Sequence, residues 1–168
     1  MEADYAVAGD ICVAAYEQTG QLGDDGGYAE ELRDVAARAR DAEVIVADDP
    51  DTGEVLGCVT LALAGQPLAE LARPGEAEFR MLAVAPSAQR RGVGSRLVRA
   101  CLDWATSHGC TAVAIYTRDF NDVAIAMYER FGFERIPELD WTPWPGLTLV
   151  ALRIQLSADD AAATATVG

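Results

Sequence analysis

The 168-residue chain contains no lysine; all 13 of its basic residues are arginine. That excludes a phosphate-binding loop ending in Gly-Lys-Ser/Thr, and it excludes chemistry that needs an amine nucleophile. Histidine is almost absent as well. The single His108 cannot build a His-rich metal site, and no metal is expected. The four cysteines, Cys12, Cys58, Cys101 and Cys110, show no CxxC spacing and read as small apolar residues in a reducing compartment. No run approaches the roughly 20 apolar residues of a membrane span. The N-terminus lacks the charged-then-apolar order of a signal peptide, so the expected location is cytoplasmic. What remains is 51% hydrophobic and 24% charged, the composition of one ordinary globular domain over residues 1–156. The Ala/Thr/Asp-rich stretch 157–168 reads as a disordered tail.

Charge of one sign is also scarce. The net charge is −14, which disfavours nucleic acid or an anionic membrane as partner because both repel it. The distribution is more telling. Residues 1–80 carry 18 acids and five Arg, whereas residues 81–100 carry no acid and four Arg: Arg90, Arg91, Arg96 and Arg99. One short basic island in an acidic chain suits an anionic ligand.

Periodicity predicts helices over 9–19 and 28–41, the second with Tyr28, Leu32, Val35 and Ala39 at helical spacing. A Gly/Asp-rich loop, Gly20 to Gly27, separates them. Strands are predicted at Glu43–Ala47 and Val55–Leu63, joined by the turn Asp48 to Gly53 as a hairpin. A loop over Gln66–Gly75 precedes a strand at Glu78–Val84, which Pro86 ends. A helix over Gly92–His108 closes at Gly109, with His108 in its last turn as a capping residue. Thr111–Thr117 is nearly continuous apolar sequence, the pattern of a buried strand. Asn121 caps a helix carrying Ala124, Met127, Tyr128 and Phe131 on one face. Strands at Phe133–Ile136 and Leu147–Ile154 flank a Trp/Pro-rich loop. The order implies a mixed α/β sheet with helices on both faces.

The basic island opens with Gln89-Arg90-Arg91-Gly92-Val93-Gly94-Ser95, after a strand and directly before a helix. Two glycines allow a tight turn and close ligand approach. The free N–H groups of the first helical turn and the helix dipole then favour an anion there. With adjacent arginines this is a recipe for a pyrophosphate site, its other reading being a Gly-bearing turn with solvated arginines. A dinucleotide fold is not indicated, since Leu97 stands where a third glycine belongs and no acid ends the Thr111–Thr117 strand.

These residues also carry a family resemblance. Met81-Leu82-Ala83-Val84-Ala85-Pro86 followed by Gln89-Arg90-Arg91-Gly92-Val93-Gly94 resembles the acetyl-CoA-binding segment of the GNAT superfamily of N-acetyltransferases, with its Gln/Arg-x-x-Gly-x-Gly/Ala signature. Downstream, Asn121, Ala124 and Met127-Tyr128-Glu129-Arg130-Phe131-Gly132-Phe133 resemble that superfamily's second segment. The two lie in the expected order and cover roughly 77–136. The sequence departs from the superfamily at its start, where only Met1–Val7 is available for a first strand.

The resemblance implies the acyl-CoA N-acyltransferase fold, a mixed central sheet splayed between two parallel strands. It implies that backbone groups of Leu82, Ala83 and Val84 pair with the pantetheine arm like an added strand. Gln89, Arg90, Arg91, Gly92, Val93, Gly94 and Ser95 then hold the pyrophosphate, with Arg90 and Arg91 each either on phosphate or solvated. Asn121 bonds the cofactor arm, caps its helix, or does both. Tyr128 matches the general acid that protonates the departing CoA thiolate, its other reading being a core tyrosine. Glu78 is the candidate general base, acting directly or through a water, its other reading being a charge facing solvent. The implied function is transfer of acetyl from acetyl-CoA to a primary amine of a small molecule or peptide, by direct attack in a ternary complex. A non-catalytic acyl-CoA-binding module is the alternative. Trp141, Trp144 and Leu147 concentrate apolar area in a late loop, which suggests a homodimer contact.

Overall fold

A computed structural model describes residues 2–22 and 27–157. Part of the Gly/Asp loop, 23–26, and the tail 158–168 lie outside the described residues. The elements run α1 (Glu2–Gln18), α2 (Tyr28–Arg33), α3 (Val35–Asp41), β1 (Glu43–Asp48), β2 (Val55–Leu63), β3 (Glu76–Val84), α4 (Val93–Ser107), β4 (Ala112–Arg118), α5 (Asp122–Phe131), β5 (Glu134–Arg135), β6 (Trp141–Trp144) and β7 (Leu147–Gln155). The strand order is β1-β2-β3-β4-β7-β5, with β6 also pairing β7. β1 pairs β2 antiparallel, β3 pairs β4 parallel, and β4 pairs β7 antiparallel. The mixed α/β sheet with a parallel pair is therefore borne out. No helix among the described residues is long and apolar enough to cross a membrane.

The residues cluster into two compact units, Met1–Ala62 with Arg80–Ala100, and Leu63–Phe79 with Cys101–Gly168. In the first, α1 buries Ala8, Ile11, Cys12 and Ala15, a stripe at helical spacing. Residues 2–7 continue this helix, so no first strand forms there. The expected helix over 28–41 is broken at Asp34, whose backbone leaves helical geometry (φ −82°, ψ 68°). Its side chain instead accepts from the Ala37 amide at 2.8 Å and caps α3.

Gly57 of β2 is required by close packing. A Cβ there would stand 2.5 Å from the Ala83 carbonyl oxygen and 3.2 Å from Leu97 Cδ1. The oxygen belongs to backbone and cannot swing away. Gly57→Ala should therefore cost about 2–3 kcal/mol and lower Tm in a thermal melt by about 4–12 °C. An unchanged Tm would show that this approach is not tight.

In the second unit, Phe79 packs edge-on against Tyr128 and Phe133, with ring centroids 5.7 and 6.1 Å away. Leu71, Ala114 and Ala151 form a smaller buried cluster, covered by Tyr116, Ile136 and Leu139. Buried Glu76 meets Arg153 at 3.1–3.2 Å. The Trp/Pro-rich stretch is a strand rather than a loop. β6 pairs β7 through Trp141↔Leu149 and Trp144↔Leu147, irregularly between. Pro143, which has no N–H to donate, falls in that irregular part.

Candidate functional site

In the first unit, β3 leads through a short 3-10 turn, Pro86–Ala88, into the glycine loop and α4. The Ala85 amide donates to the Leu56 carbonyl at 2.8 Å, and the Ala83 carbonyl oxygen also lies toward β2 at Gly57. Successive residues of a strand direct their N–H and C=O groups to opposite edges. Leu82 and Val84 therefore turn theirs to the edge away from β2, where an extended ligand can pair with them. Just before them, Met81 adopts φ +54°, a left-handed angle uncommon for a residue other than glycine.

Arg90 (φ +61°) and Gly92 (φ +77°) both take the left-handed conformation, which curls the loop. The Arg96 amide is bonded back to the Gly92 carbonyl at 3.1 Å. The N–H groups of Val93, Gly94 and Ser95 precede that bond, so the helix itself does not use them. They and the positive end of the helix dipole form the anion-attracting part of the loop. Gln89, Arg90, Arg91 and Gly92 are exposed, and Val93 is buried, anchoring the helix start.

Two side chains outside the motif hold this loop. Gln89 Nε2 donates to Gln18 Oε1 at 2.7 Å, and Arg91 Nη2 donates to Asp49 Oδ2 at 3.0 Å. Asp49 is held below its ordinary carboxylate range, first by the Asp51 amide and then by Arg91. Arg91 thus has an internal carboxylate partner. Sequence reading missed Gln18 and Asp49, because a turn signal announces its own bend and not the arginine 42 residues away.

In the second unit, Asn121 caps α5, its Oδ1 accepting from the Ala124 amide at 3.4 Å. That contact uses the oxygen and leaves the two amide donors for a ligand. Tyr128, on the buried face of α5, is 6% exposed. Among the described residues its hydroxyl has no hydrogen-bond partner. Burial, and secondarily the Cys101 thiol, push its pKa above the ordinary phenol value, so it stays protonated.

Glu78 does not face solvent; it is 3% exposed. Its Oε2 accepts from the amides of Glu70, Leu71 and Ala72 at 2.9, 2.6 and 3.1 Å. One carboxylate oxygen therefore gathers three successive N–H groups of the loop before β3. Glu78→Gln keeps the shape but removes the charge, so Tm should drop by about 4–8 °C, corresponding to about 2 kcal/mol. A melt within a degree of the parent would mean the charge is not what holds the loop. Nearby, Tyr116 donates to the Leu139 carbonyl at 2.9 Å. Its pKa is raised by burial first, then by the negative charges of Glu78, Glu70 and Asp140. The surroundings of Tyr116 are therefore a region of negative potential.

A parallel β3–β4 pair in an open mixed sheet, with a glycine loop leading from β3 into a helix, defines the class of acyl-CoA N-acyltransferase folds. The sequence profile of the Acetyltransferase (GNAT) family matches residues 13–133, and the chain belongs to that family. It is 37% identical over 102 residues to an aminoglycoside N(6')-acetyltransferase type 1 of Klebsiella aerogenes, covering 60% of this chain and 65% of that one. It is 40% identical over 63 residues to the N-alpha-acetyltransferase RimI of Mycobacterium tuberculosis, covering 38% of each. The chain thus spans less than two thirds of these relatives' length. Among solved structures, a ribosomal-protein-alanine N-acetyltransferase from Brucella melitensis shares the fold with TM-score 0.67 and 23% identity, over 93% of this chain and 96% of that one. A Bacillus subtilis acetyltransferase in complex with CoA matches with TM-score 0.58 and 21% identity, over 73% of this chain and 82% of that one.

Proposed function

We propose that the chain is an acetyl-CoA-dependent N-acetyltransferase acting on a cationic primary amine of a small molecule or peptide. The observation that carries this reading is Tyr128, a buried phenol with an unspent proton donor. The hydroxyl is spoken for by no other group among the described residues, and a departing thiolate is a partner such a donor suits. Leu82 and Val84 pair with the pantetheine arm, with Ala83 between them. Gly92, Gly94 and the N–H groups of Val93 to Ser95 take the pyrophosphate. Gln89 and Arg91 shape the loop, and Arg90 faces phosphate or solvent. Asn121 donates its amide to the cofactor arm.

Glu78, directly or through a water, takes the proton that the acceptor ammonium must lose. The amine lone pair then forms the C–N bond as the thioester C–S bond breaks. Tyr128 delivers its proton to the sulfur, and the second proton shed by the new amide nitrogen passes through water to restore the phenol. No acyl-enzyme is needed, since burial pushes the Cys101 and Cys110 thiols up and away from thiolate character. The negative surroundings of Tyr116 suit a cationic acceptor, and the acceptors named for the two curated relatives include aminoglycosides. A single domain over 1–156 is the expected organisation, of which the family match covers residues 13–133.

The test is release of CoA thiol from acetyl-CoA across aminoglycosides, polyamines and peptides with free N-termini. Release with at least one amine is expected. Tight CoA binding with no release from any amine would assign a non-catalytic acyl-CoA-binding module instead. Trp141 is 47% exposed, whereas Leu147 is buried, so an apolar contact would rest on the β6 side. A homodimer is the expected assembly, and sedimentation at one chain mass at micromolar concentration would reject it.

A further inference from the structure

The first unit holds a pair of thiols that acetyl transfer does not use. Cys12 on α1 and Cys58 on β2 are 0% and 1% exposed, and their Sγ atoms lie 3.3 Å apart. Beside them is Arg38 of α3, itself 4% exposed. Its Nη2 lies 3.7 Å from Cys12 Sγ and donates to the Leu32 carbonyl at 3.0 Å, while Nη1 faces the Met81 sulfur. Its Nε has no hydrogen-bond partner among the described residues. Among the described residues no carboxylate pairs with this guanidinium. A buried cation without a counter-ion is expensive, and it favours whichever neighbour can become an anion. The Cys12 thiol is that neighbour.

We propose that Cys12 and Cys58 are a redox pair that closes reversibly to a disulfide, with hydrogen peroxide as the class of oxidant. The Cys12 thiolate, paired to Arg38, attacks one peroxide oxygen. The S–O bond forms, the O–O bond breaks, and hydroxide leaves to become water with the proton Cys12 gave up. The Cys58 sulfur then attacks Cys12 Sγ. The S–S bond forms, the S–O bond breaks, and the second hydroxide leaves as water with the Cys58 proton. Two thiols and one peroxide become one disulfide and two waters, a two-electron oxidation.

The division of labour has an electrostatic basis. The hydrogen bond from Cys58 lowers the Cys12 pKa most; burial opposes this and the Arg38 charge adds to it, leaving it at about 7. Cys58 is pushed up by the same hydrogen bond and by burial, so it stays protonated until it resolves the intermediate. The sulfurs must approach by about 1.3 Å to reach disulfide length, a shift that side-chain rotation can supply. The bridge would staple α1 to β2 across a sequence separation of 46. α1 ends at Gln18, which holds Gln89 of the glycine loop, so the staple fixes the helix that pins that loop.

The experiment treats the full chain with hydrogen peroxide, then measures intact mass, maps cysteine peptides and records Tm. The expected result is a loss of two hydrogens, a Cys12–Cys58 crosslink, and a Tm about 5–10 °C higher, all reversed by dithiothreitol. Cys12→Ser and Cys58→Ser should each abolish the crosslink, and Cys58→Ala serves where the buried hydroxyl impairs folding. Cys101→Ser and Cys110→Ser should retain it. No mass change, oxygen added without a crosslink, or a bridge between other cysteines would overturn the proposal.

Discussion

Replacing Tyr128 by phenylalanine should lower turnover by about 10²-fold or more while leaving the fold and acetyl-CoA affinity in place. The ring is what packs: it meets Phe79 and Phe133 at centroid distances of 5.7 Å, and phenylalanine keeps that packing. The hydroxyl contributes no hydrogen bond to the folded state among the described residues, so its removal should leave Tm within a few degrees or raise it. The proposed cofactor contacts come from Leu82, Val84 and the Val93–Ser95 amides, none of which the substitution touches. Only the proton for the departing thiolate is lost, and a hundredfold loss corresponds to about 2.7 kcal/mol of transition-state stabilisation. Melting temperature, acetyl-CoA affinity and turnover on one preparation separate the outcomes. A parallel fall of affinity and turnover would make Tyr128 a binding residue. Near-normal turnover would mean that water or another group protonates the thiolate.

The elements legible in the sequence are those whose patterning is local. β2 runs over the expected Val55–Leu63, bounded by a dense turn on one side. Asn121 caps α5 as its position before an apolar helical face indicates. The misreadings share a different cause. Helical spacing of Leu32, Val35 and Ala39 continues smoothly through Asp34, yet Asp34 caps a new helix and breaks the old one. The period reports the buried face and is blind to a one-residue break in the backbone. β3 begins at Glu76, two residues early, because Glu76 finds Arg153 and Glu78 finds three amides. A carboxylate at a strand start reads as exposed until its partners are known. In the candidate site, the Gly92–Ser95 loop and Tyr128 were legible from motif and context. The Asp49 latch, the positive φ at Met81 and the Cys12–Cys58–Arg38 cluster were not. Each depends on residues brought together from distant parts of the chain, or on a backbone angle that no side chain announces.

Gly94→Glu should weaken acetyl-CoA binding by at least about 30-fold, near 2 kcal/mol, without unfolding the protein. Gly94 is the second residue of α4 and lies in the first turn, where helix N–H groups are unspent. A carboxylate at such a position interacts favourably with the helix dipole, and glutamate is a far better helix former than glycine. On stability alone the substitution should be neutral or helpful, so Tm should hold or rise. The same carboxylate would occupy the space into which the pyrophosphate approaches the backbone, and it would repel that group's charge. Stability and affinity should thus move in opposite directions, a signature that general damage cannot produce. Calorimetric titration with acetyl-CoA beside a thermal melt reads both. Affinity equal to the parent's in a well-folded Gly94→Glu variant would reject the loop as the pyrophosphate site. Arg90 would then be a solvated surface charge and Arg91 only the partner of Asp49, and the anion-attracting amides of Val93 to Ser95 would serve some other ligand.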